Sequence, residues 1–370
     1  MKQLLGKRPR WGVAPRPGPS VPLLAGPRPV LGTPLLGTEA TLRPALLLLP
    51  WSGVSLLLLG WLLFPGALSR VMFVPLLLSV LLFGLPHGAL DHRVPGWLHW
   101  RWARSPLKLG AYLLLYAGLA AALLLSWRLA PLLAFWGFLA ASLLHWGQGD
   151  LHFLEAVLGR PRRRWWSAPV AVLARGSLPI AVSLLAFPDW FTRLAQGAAR
   201  AFSAPALAGE LLSGPGAATL LTVVVAVLLL YVLDTWQASP RPLTEPGRLA
   251  ELGEAALLLA LFVTVPPPLA LGLYFTLWHA WRHLGRLLAL SEDSHSATAT
   301  ARPRLSWRFV TALVPISLLA LLMLAGLYLW AAPHVHDTET LVALYLALIA
   351  ALTGPHALLV AAMDLKPGAA

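Results

Sequence analysis

Cysteine is absent from this 370-residue chain, and acidic residues are few, 15 against 28 lysines and arginines. Without a thiol there is no disulfide, no thiolate-held zinc and no iron–sulfur cluster. Any metal must therefore be held by imidazole and oxygen. Charge of either sign is also scarce, at 12% of residues, against about 25% in soluble domains. Nothing in the chain has the form of a Ser-His-Asp triad, a phosphate-cradling Gly-rich loop or a dinucleotide fingerprint. What the chain does have is apolar length. It is 58% hydrophobic with a mean hydropathy of +0.71, and its runs reach the roughly 20 residues that cross a hydrocarbon core. This composition predicts an all-α, polytopic transmembrane bundle that sits in the cell membrane as a multi-pass protein.

Residues 1–44 are rich in Pro, Gly and Arg and lack periodicity, so they read as a disordered basic tail. The integral membrane domain is expected over 45–365. About ten spans are predicted, near 45–64, 71–90, 108–126, 129–149, 168–187, 216–236, 249–265, 269–289, 309–331 and 340–361. The seventh is the weakest, because Glu251 and Glu254 lie in its first turns. Residues 189–212 read as an interfacial or re-entrant helix. With both termini cytoplasmic, the outside segments hold only Arg70, Arg128, Arg193 and Arg200, and nearly all other Lys and Arg fall inside. Arg175 alone is stranded within a span. The net charge of +13 thus reads as orienting loop charge. No compact basic domain exists to hold a duplex, so nucleic acid is not an expected partner.

Four of the eleven histidines, His87, His145, His279 and His356, lie in otherwise apolar stretches. A polar group in the bilayer is costly unless paired or bound, so each is a candidate functional residue. Their spans all run from outside to inside, which places the four in the cytoplasmic half of the membrane at similar depth. His279 and His283 are four apart and share a helix face, a spacing that can hold one metal ion. The same residues also read as an interfacial pair, with Arg282 and Arg286 reaching for headgroups and Trp278 and Trp281 in the aromatic belt.

His87 follows Pro86 and is flanked by Gly84 and Gly88, so its helix is expected to be distorted. Asp91 is a candidate to accept an imidazole N–H and fix its tautomer, or is simply the solvated end of the span. Asp150, after His145, is a second such candidate. His356 repeats the Pro-His arrangement as a ligand, a donor behind the ligands or a packed polar residue. No carboxylate is expected beside His279 and His283. His99, His295, His334 and His336 fall in loops and read as solvated. Phe83, Trp146, Tyr274, Phe275 and Trp278 lie within a few residues of the histidines, either as lining of an apolar tunnel or as ordinary packing aromatics.

GLPHGALD at 84–91, SxxHxGxxD at 142–150, YFxxxHxxRH at 274–283 and the late Pro355-His356 together resemble the bacterial and archaeal Brp/Blh family. The resemblance covers roughly 70–361 in family order. It implies a membrane β-carotene 15,15′-dioxygenase that uses Fe(II) and O2 to cut its substrate into two retinal molecules, often for microbial rhodopsins. It further implies that His87, His145, His279 and His283 are both the metal ligands and the catalytic residues, and it leaves open whether His356 joins them. Two departures stand out. His145-Trp146-Gly147 has tryptophan where the family has phenylalanine, and Gln148-Gly149 replaces a small or acidic pair, which bears on pocket shape. Competing expectations are a membrane di-iron desaturase or hydroxylase, which needs more histidines than this chain offers, and a metal-ion transporter, which would spread polar groups across the full bilayer depth.

Overall fold

Five of the main helices open on a proline, one way a helical protein accommodates some of its 33. Pro106, Pro131, Pro188, Pro246 and Pro267 are each the first residue of a helix. There the missing N–H costs nothing and the fixed φ already suits the helix. The computed structural model describes residues 38–79, 84, 88–160, 162, 164–205, 209, 211–212, 214–238, 246–291, 307–335 and 337–365. The basic tail up to residue 37, and with it most of the expected 1–44 segment, lies outside the described residues. Among the described residues there are helices and turns but no strand.

The main helices are α1 (Thr38–Leu63), α2 (Phe73–Ser79), α3 (Pro106–Leu129), α4 (Pro131–Ala156) and α5 (Ser167–Ser177). They continue as α6 (Pro188–Ala201), α7 (Gly214–Gln237), α8 (Pro246–Thr264), α9 (Pro267–Leu273), α10 (Trp281–Leu290), α11 (Trp307–Ala331) and α12 (Thr338–Leu365). A π-helical turn, Leu178–Val182, extends α5, and another, Tyr274–Ala280, joins α9 to α10.

Among the described residues, six helical stretches are long and apolar enough to cross a membrane: 42–63, 106–129, 167–186, 214–237, 309–330 and 338–365. Several present large apolar side chains outward, among them Leu114, Leu229 and Leu329. Such an apolar exterior suits lipid and not water. The remaining four expected spans carry His87, His145, the Glu251–Glu254 pair, and His279 with His283. Polar residues also lie within two of the six, Arg175 in 167–186 and His356 in 338–365. The expected interfacial segment is α6, whose Phe191, Leu194 and Ala198 are buried against the bundle.

One helix crossing sets the position of the buried charges. A Cβ on Gly147 would come within 2.0 Å of the Val172 carbonyl oxygen, and one on Gly176 within 1.9 Å of the Leu143 carbonyl oxygen. Only glycine at both positions lets the backbones of α4 and α5 touch. The same contact brings Asp150 of α4 against Arg175 of α5, whose Nε donates to Asp150 Oδ2 at 2.8 Å.

Candidate metal centre

Four imidazoles from separate parts of the chain meet in the interior. His145 lies mid-way along α4, His279 in the π turn, His283 on α10 and His356 on α12 next to Pro355. All four side chains are buried. Ring centroids are 4.9 Å apart for His145 and His279, 4.9 Å for His145 and His356, and 5.0 Å for His283 and His356. A π turn widens the helix and is common at functional sites; here it carries His279. His87 and Phe83 lie outside the described residues. His99, by contrast, is exposed on a turn with φ of 51°.

Asp91 is buried and does orient an imidazole, that of His356. His356 Nδ1 is 2.8 Å from Asp91 Oδ2, and the Tyr116 hydroxyl donates to the same oxygen at 2.8 Å. The tautomer that suits this pair carries its proton on Nδ1 and donates it to the carboxylate. The adjacent His92, just past the span, is held below the usual imidazole range by burial, although its bond to the Ala89 carbonyl acts the other way.

Asp150 behaves differently from expectation. Its partners are the Arg175 guanidinium, the Trp278 indole N–H at 3.0 Å and Arg282 at 3.4 Å. None of these is an imidazole. Glu254, fully buried, accepts from Arg175 at 2.8 Å, from the Trp51 indole at 3.0 Å, and from Arg282. Two carboxylates and two guanidiniums therefore balance one another, and Asp150 and Arg282 line a cavity together with His145, His279 and His283.

This network corrects two expectations. Carboxylates are present near His279 and His283, one residue away through Arg282. Neither Arg282 nor Arg286 reaches for a headgroup, because Arg282 bridges Asp150 and Glu254, and Arg286 pairs with Asp364. Sequence reasoning passed over the network although its signal was visible. Arg175 was the one basic residue stranded in a span, and Glu254 was the acid that weakened another. Charges buried in apolar surroundings must find partners.

Apolar space borders the rings on two sides. One pocket is lined by aromatic and aliphatic side chains, Trp146 and Phe275 among them. Both rings lie 5.8 Å from that of His279. A second pocket is bordered by His356, Tyr116 and Gly84. Trp146 and Phe275 thus line a cavity as anticipated. Tyr274 and Trp278 do not. Both are fully buried in the packing around Phe262, and the Trp278 indole is committed to Asp150. A third, more polar cavity is lined by His145, His279 and His283 together with the half-buried His152 and the buried Arg282 and Arg286.

The donor set suits a metal that accepts nitrogen. Two imidazoles bound to one ion at about 2.1 Å would stand roughly 4.5–5.2 Å apart between ring centres, which brackets the observed spacing. Among the described residues no group of three or more histidines and carboxylates is placed so that it could hold a metal ion. The imidazole-rich, cysteine-free set is compatible with iron, zinc or copper.

A family profile described as beta-carotene 15,15′-dioxygenase matches residues 78–364. The chain belongs to the β-carotene 15,15′-dioxygenase family. A probable β-carotene 15,15′-dioxygenase, Blh, from Halobacterium salinarum is 36% identical over 361 residues, 93% of this chain and 99% of the relative. A probable β-carotene 15,15′-dioxygenase, Brp, from the same species is 26% identical over 222 residues, 59% of each. No solved structure matches. The family is one of carotenoid-cleaving dioxygenases, as the motifs implied, and its matched region holds the four meeting histidines.

Proposed function

We propose that this chain cleaves β-carotene at its central 15,15′ double bond with O2, giving two molecules of retinal, within the cell membrane. The observation that carries the reading is the meeting of four imidazoles beside apolar chambers in a chain of this family. One C=C bond and one O2 are consumed and two C=O bonds form, so no outside reductant enters. Fe(II) held by His87, His145, His279 and His283, with His356 in the same set, would supply the electron chemistry that lets ground-state O2 react with a closed-shell polyene.

The side chains do the rest. Asp91 holds the proton on His356 Nδ1 and so aims Nε2 inward. Trp146 and Phe275 flank His279 with apolar faces that exclude water and suit a conjugated hydrocarbon. A substrate dissolved in the bilayer needs a site at this depth, and an aldehyde product fits a retinal-binding rhodopsin as its consumer.

Expression in a β-carotene-producing bacterium tests the reading, with colour loss and retinal read by chromatography. Retinal formation with one iron per chain is expected. Iron-loaded, folded protein that yields no retinal refutes it. Two irons per chain would favour the desaturase or hydroxylase reading, and ion uptake into proteoliposomes without oxygen consumption would favour a transporter.

A further inference from the structure

Asp364 stands in the last turn of α12, where an acid suits a helix least because the carbonyl end of the macrodipole repels it. Its charge is answered from two other helices. The Gln148 side-chain amide on α4 donates to Asp364 Oδ2 at 2.5 Å, and Arg286 Nη2 on α10 donates to Oδ1 at 2.5 Å. His152 Nδ1, one turn past Gln148, is 4.0 Å from Oδ1 and beyond hydrogen-bond range. One carboxylate thus fastens α12 to both α4 and α10.

The three fastened helices carry three of the meeting imidazoles. Gln148 lies three residues after His145, and Arg286 three after His283, so each tie shares a helix face with a histidine. Asp364 lies eight residues after His356, about 12 Å further along α12. Two of the three ring spacings depend on how α12 sits, His145 to His356 at 4.9 Å and His283 to His356 at 5.0 Å. The third, His145 to His279, does not involve α12. Leu359 and Met363 of α12 also share a hydrophobic cluster with Leu287 and Leu288 of α10. The hydrophobic effect behind that packing is non-directional, whereas a charge-assisted hydrogen bond fixes distance and angle.

We infer that Asp364 is a positioning residue: by tying α12 to α4 and α10 it sets the register that brings the His356 imidazole to those of His145 and His283. This rests on the metal-centre reading above. A functional site needs its groups held within roughly 0.5 Å, and a helix that slides or turns by more takes His356 out of the set. Asp91 orients the His356 ring, and Asp364 places the helix that carries it.

Co(II) titration of the metal-free protein in lipid nanodiscs tests this through the visible absorption of the bound ion, which reports the number and geometry of its ligands. Asp364→Ala is expected to weaken Co(II) binding about 10–100-fold, as loss of a group behind the ligands does, and to shift the absorption toward that of His356→Ala. Asp364→Glu keeps the carboxylate and should recover most of the affinity. Gln148→Leu should weaken binding by itself and add nothing once Asp364 is alanine, because both changes remove the same bond. Asp337→Ala loosens the other end of α12, where Asp337 Oδ1 accepts the Thr340 N–H, and should leave the Co(II) spectrum unchanged. The inference is overturned if Asp364→Ala and Asp337→Ala act alike on Co(II), or if Asp364→Glu binds no better than Asp364→Ala. Should Asp364→Ala fail to fold, Gln148→Leu keeps the Arg286 pair and decides the matter, unchanged Co(II) affinity counting against the inference. Unaltered protein that binds no Co(II) strikes the metal centre and this inference with it, whereas protein that binds Co(II) and makes no retinal with iron strikes only the proposed function.

Discussion

Removing Arg175 should be among the most damaging single changes in the chain, and restoring charge balance should rescue it. The guanidinium is fully buried and contacts Asp150 and Glu254, each at 2.8 Å. It also lies over the Trp278 ring, 5.9 Å from the centroid. Arg175→Met keeps the length of the side chain and deletes the charge, leaving two carboxylates against Arg282 alone. Breaking a buried pair by losing one partner costs about 3–5 kcal/mol, because the survivor stays buried and uncompensated. Glu254→Gln alone leaves an excess of positive charge and should cost a similar amount.

The double variant restores one carboxylate to one guanidinium, and replacing a buried pair with neutral groups is often close to neutral. The two single costs should therefore fail to add, with an interaction energy of roughly 2 kcal/mol or more. Unfolding in lipid nanodiscs, followed by heat and by tryptophan fluorescence, measures all four corners of the cycle. A double variant as unstable as the sum of its parents would refute the argument, as would a single Arg175→Met costing under about 1 kcal/mol.

His279→Ala should abolish both iron binding and cleavage, while His99→Asn, on an exposed turn with φ of 51°, should change neither; metal analysis and retinal assay of the two variants decide it. Asp91→Asn should weaken iron binding by about 10–100-fold, since the carboxylate that fixes the His356 tautomer is gone, and Tyr116→Phe should have a smaller effect in the same titration. Asp337→Ala should cost about 1 kcal/mol in thermal unfolding, because Asp337 Oδ1 accepts the Thr340 N–H at 2.7 Å and caps α12. Burial acts to raise the Asp337 carboxyl, but the Thr340 bonds and Arg200 hold it below the usual carboxylate range. Its contribution should thus be fully present above about pH 4 and fade as the pH falls through the lowered value, a loss that Asp337→Ala would not show.

The membrane bundle was legible because lipid demands long apolar helices, and α3, α7 and α11 follow the hydropathy closely. His145, His279 and His356 were legible for the converse reason, since polar groups in apolar runs need a purpose, and His283 by its four-residue spacing from His279. Their partners were harder to read. Asp91 meets the His356 imidazole from 265 positions away. Helical spacing reports only local neighbours. Asp150 was assigned to a histidine by proximity along α4, whereas the Gly147–Gly176 crossing hands it to Arg175. Trp278 looked like a tunnel wall or a membrane-belt residue, and its indole N–H instead ties it to that carboxylate. In each case the missing information was which helix faces which.

The paired glycines at Gly147 and Gly176 make the buried charges answer to a single methyl group. A side chain at either position would have to displace the facing backbone, and the helix that moved would carry Asp150 or Arg175 with it. A change that alters no charge would thus act as the loss of one.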